Sequence, residues 1–187
     1  GAEYQLTGPY GWKIDQAGEI AALTELIQSG SVWQNGDSAD REPVYSQSAA
    51  SRAGSDWGNT YVQVDLAGQH VYMIKDGACV WDAPCVTGNV SKAYTTPDGI
   101  YSLTYKEKDR ILRGKKLDNG KYEYESHVDY WMPFNGGIGF HDATWQSSFG
   151  GNRYLSHGSH GCVNMPKDKA AALYDLIPDG CPVVCHY

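Results

Sequence analysis

The stretch Ser159-His160-Gly161-Cys162-Val163-Asn164 and the upstream Gly139-Phe140-His141-Asp142 hold the residue types best able to do chemistry in this chain. A cysteine lies among small and polar neighbours, with one histidine two residues before it and another twenty-one residues before it. A free thiol, with a pKa near ~8.5, is only a few per cent thiolate at neutral pH and needs a base to become a good nucleophile. His141 and His160 offer that base, so nucleophilic chemistry at Cys162 is what this spacing points to. Taken by type alone, a single cysteine is more often a buried structural thiol. A lone histidine is more often an ordinary core or surface residue, and His70, His127 and His186 are read that way. Metal binding is the competing use of His141, His157, His160 and Cys162. No CxxC or HExxH spacing is present, and a metal-bound thiolate would lose its nucleophilicity, so no catalytic metal is expected.

The elements that must present these residues are short strands. From Tyr61 the chain alternates Val62, Val64 and Leu66 with polar partners, turns at Ala67-Gly68, and runs on from His70 to Ile74, a hairpin pattern. Further strands are expected at Ala78 to Val86, at Gly99 to Tyr105, on either side of Asp118-Asn119-Gly120, and at Pro182 to His186. Pro166 opens a helix whose Ala170, Leu173, Tyr174 and Ile177 share one face before Pro178 and Gly180 end it. Earlier, residues 15–30 read as a helix with Asp15 as N-cap, Ile20, Leu23, Leu26 and Ile27 at helical spacing, and Gly30 as the stop. Residues 35–57 lack a period and read as irregular, leading to a boundary near Trp57-Gly58. Several short strands plus one helix give a mainly β fold class, a β-sandwich or barrel-like domain, preceded by a small α+β N-terminal segment.

Composition narrows the function classes. The net charge of −7 argues against a nucleic-acid partner. No apolar run approaches the ~18 residues of a membrane span. The chain opens on Gly1-Ala2 without a leader pattern and reads as a fragment, so any secretion signal or membrane anchor would lie outside it. Five cysteines fit one free thiol with up to two disulfides in an exported protein. Cys79 with Cys85, and Cys181 with Cys185, each lie too far apart along an extended segment to pair within ~7 Å. Cross-pairing between the two segments and four buried thiols both stay open.

His141, seventeen further residues and then Ser-His-Gly-Cys-Val-Asn resemble the active-site pattern of the L,D-transpeptidases, the YkuD-type enzymes that cross-link peptidoglycan. Other landmarks follow in order: Tyr61-Val-Gln-Val-Asp-Leu, Val86-Thr87-Gly88, Thr96-Pro97-Asp98-Gly99, Tyr130-Trp131-Met132-Pro133-Phe134 and Gly180-Cys181-Pro182-Val183-Val184. The resemblance implies a β-sandwich catalytic domain with one packed helix over residues 59–187. Residues 1–58 resemble part of the peptidoglycan-binding-type domain that precedes it in Gram-positive members, with Arg41-Glu42-Pro43-Val44-Tyr45 as the suggestive piece. It also implies Cys162 as nucleophile and His141 as the base that takes the thiol proton and returns one to the leaving amine. The backbone carbonyl after the base, rather than the Asp142 side chain, would fix the imidazole. His160 is expected mainly in support, since one base suffices for acyl transfer. Gly161 and Cys162 are expected to offer their N–H groups as an oxyanion hole. Ser159 and Asn164 would hold the loop beside the substrate. Tyr130, Trp131 and Met132 are either core, as such clusters usually are, or walls of the cleft that Trp145 joins. Gly136-Gly137 and Gly150-Gly151 suggest hinges for a flap.

The implied activity joins peptidoglycan stem peptides by a 3→3 bond, with D-Ala released from a tetrapeptide and a thioester intermediate. It needs no cofactor, is acylated by carbapenems, and belongs in the cell wall or at the outer face of the cytoplasmic membrane. An L,D-carboxypeptidase, a transferase that attaches lipoproteins to the wall, and a wall-binding module with an inert site are the alternatives.

Overall fold

The structure, a computed structural model, describes residues 8–30 and 41–187. These form two compact units, one spanning Gly11–Gly58 and the other residues 59–187 together with residues 8–10.

In the smaller unit, strand β1 (Lys13–Ile14) leads into helix α1 (Gln16–Gln28), and β2 (Tyr45–Gln47) pairs antiparallel with β1. The Asp15 carboxylate accepts from the Gly18 N–H at 3.1 Å, satisfying one orphan donor of the first turn as the sequence predicts. Glu19 in that turn accepts the Val44 N–H at 2.8 Å and pairs with Arg41, which fastens the strand to the helix. The irregular run expected over 35–57 therefore contains a strand, and its first six residues lie outside the described residues.

The larger unit is a sandwich of two sheets. One has five strands in the order β5-β4-β3-β11-β6: β3 (Tyr61–Asp65), β4 (His70–Lys75), β5 (Ala78–Pro84), β6 (Gly99–Ser102) and β11 (Pro182–His186). The other has four in the order β10-β9-β8-β7: β7 (Glu107–Arg113), β8 (Glu125–Asn135), β9 (Ile138–Asp142) and β10 (Val163–Met165). A short helix α2 (Tyr154–His157) precedes β10, and α3 (Lys167–Leu176) follows it. Period-two alternation sends Val62 and Val64 of β3, and Val71 and Met73 of β4, to the inner face. There they meet Met132 and Phe134 of β8, Phe140 of β9 and Val163 and Met165 of β10. Phe134 packs against both Phe140 (4.9 Å between ring centroids) and Tyr101 of β6 (5.7 Å), bridging the sheets.

Strand β11 inserts between β3, to which it runs parallel, and β6, to which it runs antiparallel. Its Pro182-Val183-Val184-Cys185 run is buried throughout, as expected of a central strand covered on both faces. Helix α3 buries Ala170 and Leu173, and Lys106 Nζ donates to the Tyr174 and Ile177 carbonyls at its C-terminal end (3.2 and 2.9 Å). All five cysteines are free thiols. Of the two readings left open, buried thiols describe Cys85, Cys181 and Cys185, whereas Cys79 is exposed.

Candidate active site

Register brings His141 and Cys162 together. Strands β9 and β10 run parallel with Val163 beside Phe140 and Asn164 beside His141. Phe140, Val163 and Met165 face the core, so the alternating residues His141 and Asn164, with Cys162 just before the strand, project from the opposite face. A cleft of about 470 Å³ lies there, lined by His141, Cys162, Asn164, Trp145, Tyr124 and His160 among others.

The His141 Nδ1 lies 2.9 Å from the Asp142 carbonyl oxygen. A carbonyl can only accept, so Nδ1 carries the proton and Nε2 is the basic nitrogen. Burial lowers the His141 pKa below the usual imidazole range, opposed by the Asp142 carbonyl hydrogen bond and the Asp142 charge. The Cys162 thiol sits 3.5 Å from the Gly137 carbonyl oxygen. Burial pushes it up to about 11, against a smaller lowering by the Gly139 backbone hydrogen bond. Both groups are thus neutral at rest, a thiol with an imidazole rather than a thiolate with an imidazolium.

The Asp142 carboxylate turns away from the imidazole. One of its oxygens accepts the Asp129 and Tyr130 N–H groups, each at 2.9 Å, where the β8–β9 ladder ends. Asp142 therefore splits its duties: its carbonyl fixes the ring and its side chain fixes the strand beside it.

Ser159 Oγ donates to the Cys162 carbonyl (2.6 Å) and accepts the Gly161 N–H (2.9 Å). This corrects the expectation that the Gly161 N–H serves an oxyanion, because Ser159 already occupies it. The Cys162 N–H has no acceptor among the described residues. His160 lies between the rings of Tyr94 (4.5 Å) and Tyr124 (4.8 Å), with Glu123 3.7 Å from its Nε2. Three loops meet at this stack, which suits the supporting role expected for His160.

The cleft walls differ from expectation. Trp145 is exposed in the cleft, its ring 5.8 Å from that of His141. Trp131 pairs with His141 across β8–β9 and packs 6.0 Å from its ring, but is itself almost fully buried. Met132, one residue on, points into the core, and Tyr130 packs on Tyr174 of α3. Trp131 shares the face of His141 but is buried, and Tyr130 and Met132 take the opposite face, so none of the three forms a substrate wall. Asn164 lines the cleft with a buried Oδ1 that has no hydrogen-bond partner among the described residues. The glycine pairs expected as hinges are tied down, Gly137 by the thiol contact and Gly150 by an N–H bond to the Cys85 carbonyl (2.8 Å). Sequence reading missed Lys92, Tyr124 and Arg153, which line the cleft, and Tyr94, whose ring packs on His160; none carries a local signal. Among the described residues, no group of three His, Cys, Asp or Glu side chains is placed to hold a metal.

Comparison with known proteins follows this geometry. The family model of the YkuD L,D-transpeptidase catalytic domain matches residues 59–185. A cysteine-to-serine mutant of the Enterococcus faecium L,D-transpeptidase is 32% identical with a TM-score of 0.78, covering 97% of this chain and 68% of its own. The carbamoyl enzyme of Ldtfm with avibactam is 33% identical with a TM-score of 0.79, covering 97% and 67%. The E. faecium catalytic domain acylated by ertapenem is 38% identical with a TM-score of 0.59, covering 68% and 97%. No curated protein sequence matches this chain.

Proposed function

The chain belongs to the YkuD L,D-transpeptidase catalytic domain family, and from that premise we propose that it is a peptidoglycan L,D-transpeptidase forming 3→3 cross-links through a thioester on Cys162. The observation that carries this reading is the His141 Nδ1–H bond to the Asp142 carbonyl, which leaves Nε2 basic in the cleft that Cys162 also lines. Cys162 Sγ attacks the carbonyl of the third residue of a tetrapeptide stem while His141 Nε2 takes the thiol proton. The carbonyl electron pair moves to oxygen. It then returns to expel D-Ala, whose amine receives the proton from His141. The amine of a second stem attacks the thioester, gives up its proton to His141, and the thiol is restored as the cross-link forms.

A neutral resting pair suits this sequence, because the proton moves only as the new bond forms. The same thiol is the proposed site of carbapenem acylation, supported by the ertapenem-acylated E. faecium domain. The match to the E. faecium enzyme extends over 97% of the chain, which supports reading residues 1–58 as part of the domain preceding the catalytic one. Stem peptides place the proposed work in the cell wall or at the outer face of the membrane. Intact mass after exposure to ertapenem tests the nucleophile. A single adduct on wild type and none on Cys162→Ala is expected, and equal labelling of both proteins would refute it.

A further inference from the structure

Behind the nucleophile turn lies a hydroxyl to which the chemistry above gives no task. Thr96 is 2% exposed, and its Oγ1 sits 2.6 Å from the Gly161 carbonyl oxygen and 3.0 Å from the Gly88 nitrogen. The Gly88 N–H can only donate and the Gly161 carbonyl can only accept, so the hydroxyl proton must point at Gly161. The peptide joining Gly161 to Cys162 is trans, since no cis bond occurs among the described residues. In a trans peptide the C=O and N–H point in opposite directions. Fixing the Gly161 carbonyl on Thr96 therefore fixes the Cys162 N–H pointing away from Thr96.

We propose that Thr96 is a positioning residue which locks the Gly161–Cys162 peptide, so that the Cys162 N–H is the donor awaiting the substrate oxyanion. Gly161 has φ +122°, a region open to glycine, so the turn alone does not hold this peptide in one orientation. The lock comes from outside the turn. Gly88 shows how closely the supporting loop is drawn in, since a Cβ there would lie 1.8 Å from the Tyr94 carbonyl oxygen and 2.6 Å from the Thr96 nitrogen. Ser159 occupies the Gly161 N–H, and the Cys162 N–H has no acceptor among the described residues. When Sγ bonds to the carbonyl carbon, the π pair moves to oxygen and this N–H receives the charge. When the carbonyl re-forms, the leaving amine departs with the proton held by His141. Thr96 touches none of the reacting atoms.

The test compares two reactions at Cys162. Acylation by ertapenem develops an oxyanion, whereas alkylation by iodoacetamide displaces iodide at a saturated carbon and does not. Thr96→Val is expected to slow acylation about 100-fold, the scale of losing one oxyanion donor, with alkylation within about 3-fold of wild type. Thr96→Ser, which keeps the hydroxyl, should restore acylation to within about 5-fold. Thr96→Ala carries the same test if the valine protein does not fold. Parallel losses in both reactions would reduce Thr96 to placing the thiol, and unchanged acylation would remove its role altogether. The proposal rests on acyl transfer at Cys162. A wild type that resists ertapenem overturns that reading, whereas only the variants, in a wild type that is acylated, overturn the role of Thr96.

Discussion

Replacing Asp142 by asparagine separates a carboxylate that serves the imidazole from one that serves the backbone. One oxygen of the buried Asp142 side chain accepts two N–H groups at 2.9 Å, and an asparagine oxygen in the same place keeps both bonds without the charge. Hydrogen bonds to a charged group contribute about 1.5–3 kcal/mol and neutral ones about 0.5–1.5, so the loss is about 2 kcal/mol over the pair. In a chain of this size that lowers Tm by roughly 4–8 °C. Turnover is expected within about 3-fold of wild type, because a backbone carbonyl that the substitution leaves in place holds the His141 ring. The Asp142 charge raises the His141 pKa, so its removal should move the acid limb of the pH–rate profile to lower pH. Calorimetry and steady-state kinetics on the same preparation give both numbers. A fall in kcat of about 10⁴ with the fold intact, the scale expected for a triad carboxylate, would refute this division of labour.

Burial lowers the His141 pKa and raises the Cys162 thiol to about 11, so the acid limb of kcat/KM, set by proton uptake on His141, should lie below that of an ordinary imidazole. The thiolate absorbance of wild type minus Cys162→Ala should be absent at neutral pH and rise only well above pH 9; a full thiolate at pH 7 would contradict the neutral pair. Ser159→Ala releases both the Gly161 N–H and the Cys162 carbonyl and should cost about 2 kcal/mol in denaturant titration, with slower acylation; an unchanged midpoint would argue against the staple. His160→Ala empties the space between Tyr94 and Tyr124 and should act mainly on KM, by roughly 10-fold. A loss in kcat of about 10³ or more would instead make His160 a base.

The parts of the fold with a one-sided pattern were legible in sequence. Val62, Val64 and Val71 announce the β3–β4 hairpin, Pro182 to His186 is found at the residues expected, and α3 buries Ala170 and Leu173 as its spacing predicts. Strands β9 and β10, which carry the site, were not read as strands. Both are short, so the alternation of Ile138 and Phe140 with their neighbours, and of Val163 and Met165 with Asn164, is too brief to mark a strand. His141 and Cys162 were found by residue type and spacing, ahead of any element to hold them. Tyr130, Trp131 and Met132 were left between core and cleft wall, the wall reading resting on the family resemblance, because strand register and burial decide where each one lies. Gly161 misled for a related reason: a glycine beside a nucleophile suggests a free N–H, and only the position of the Ser159 side chain shows it taken. Lys92 and Arg153 arrive on short 3-10 turns, and Tyr94 and Tyr124 on loops, whose paths follow from tertiary contacts.

The central claim is tested most directly by product mass after incubating wild type and Cys162→Ala with a disaccharide-tetrapeptide. Dimers formed with loss of D-Ala, by wild type alone, are the predicted result. Tripeptide without dimers would make the protein an L,D-carboxypeptidase, and dimers from Cys162→Ala would contradict the thioester on Cys162.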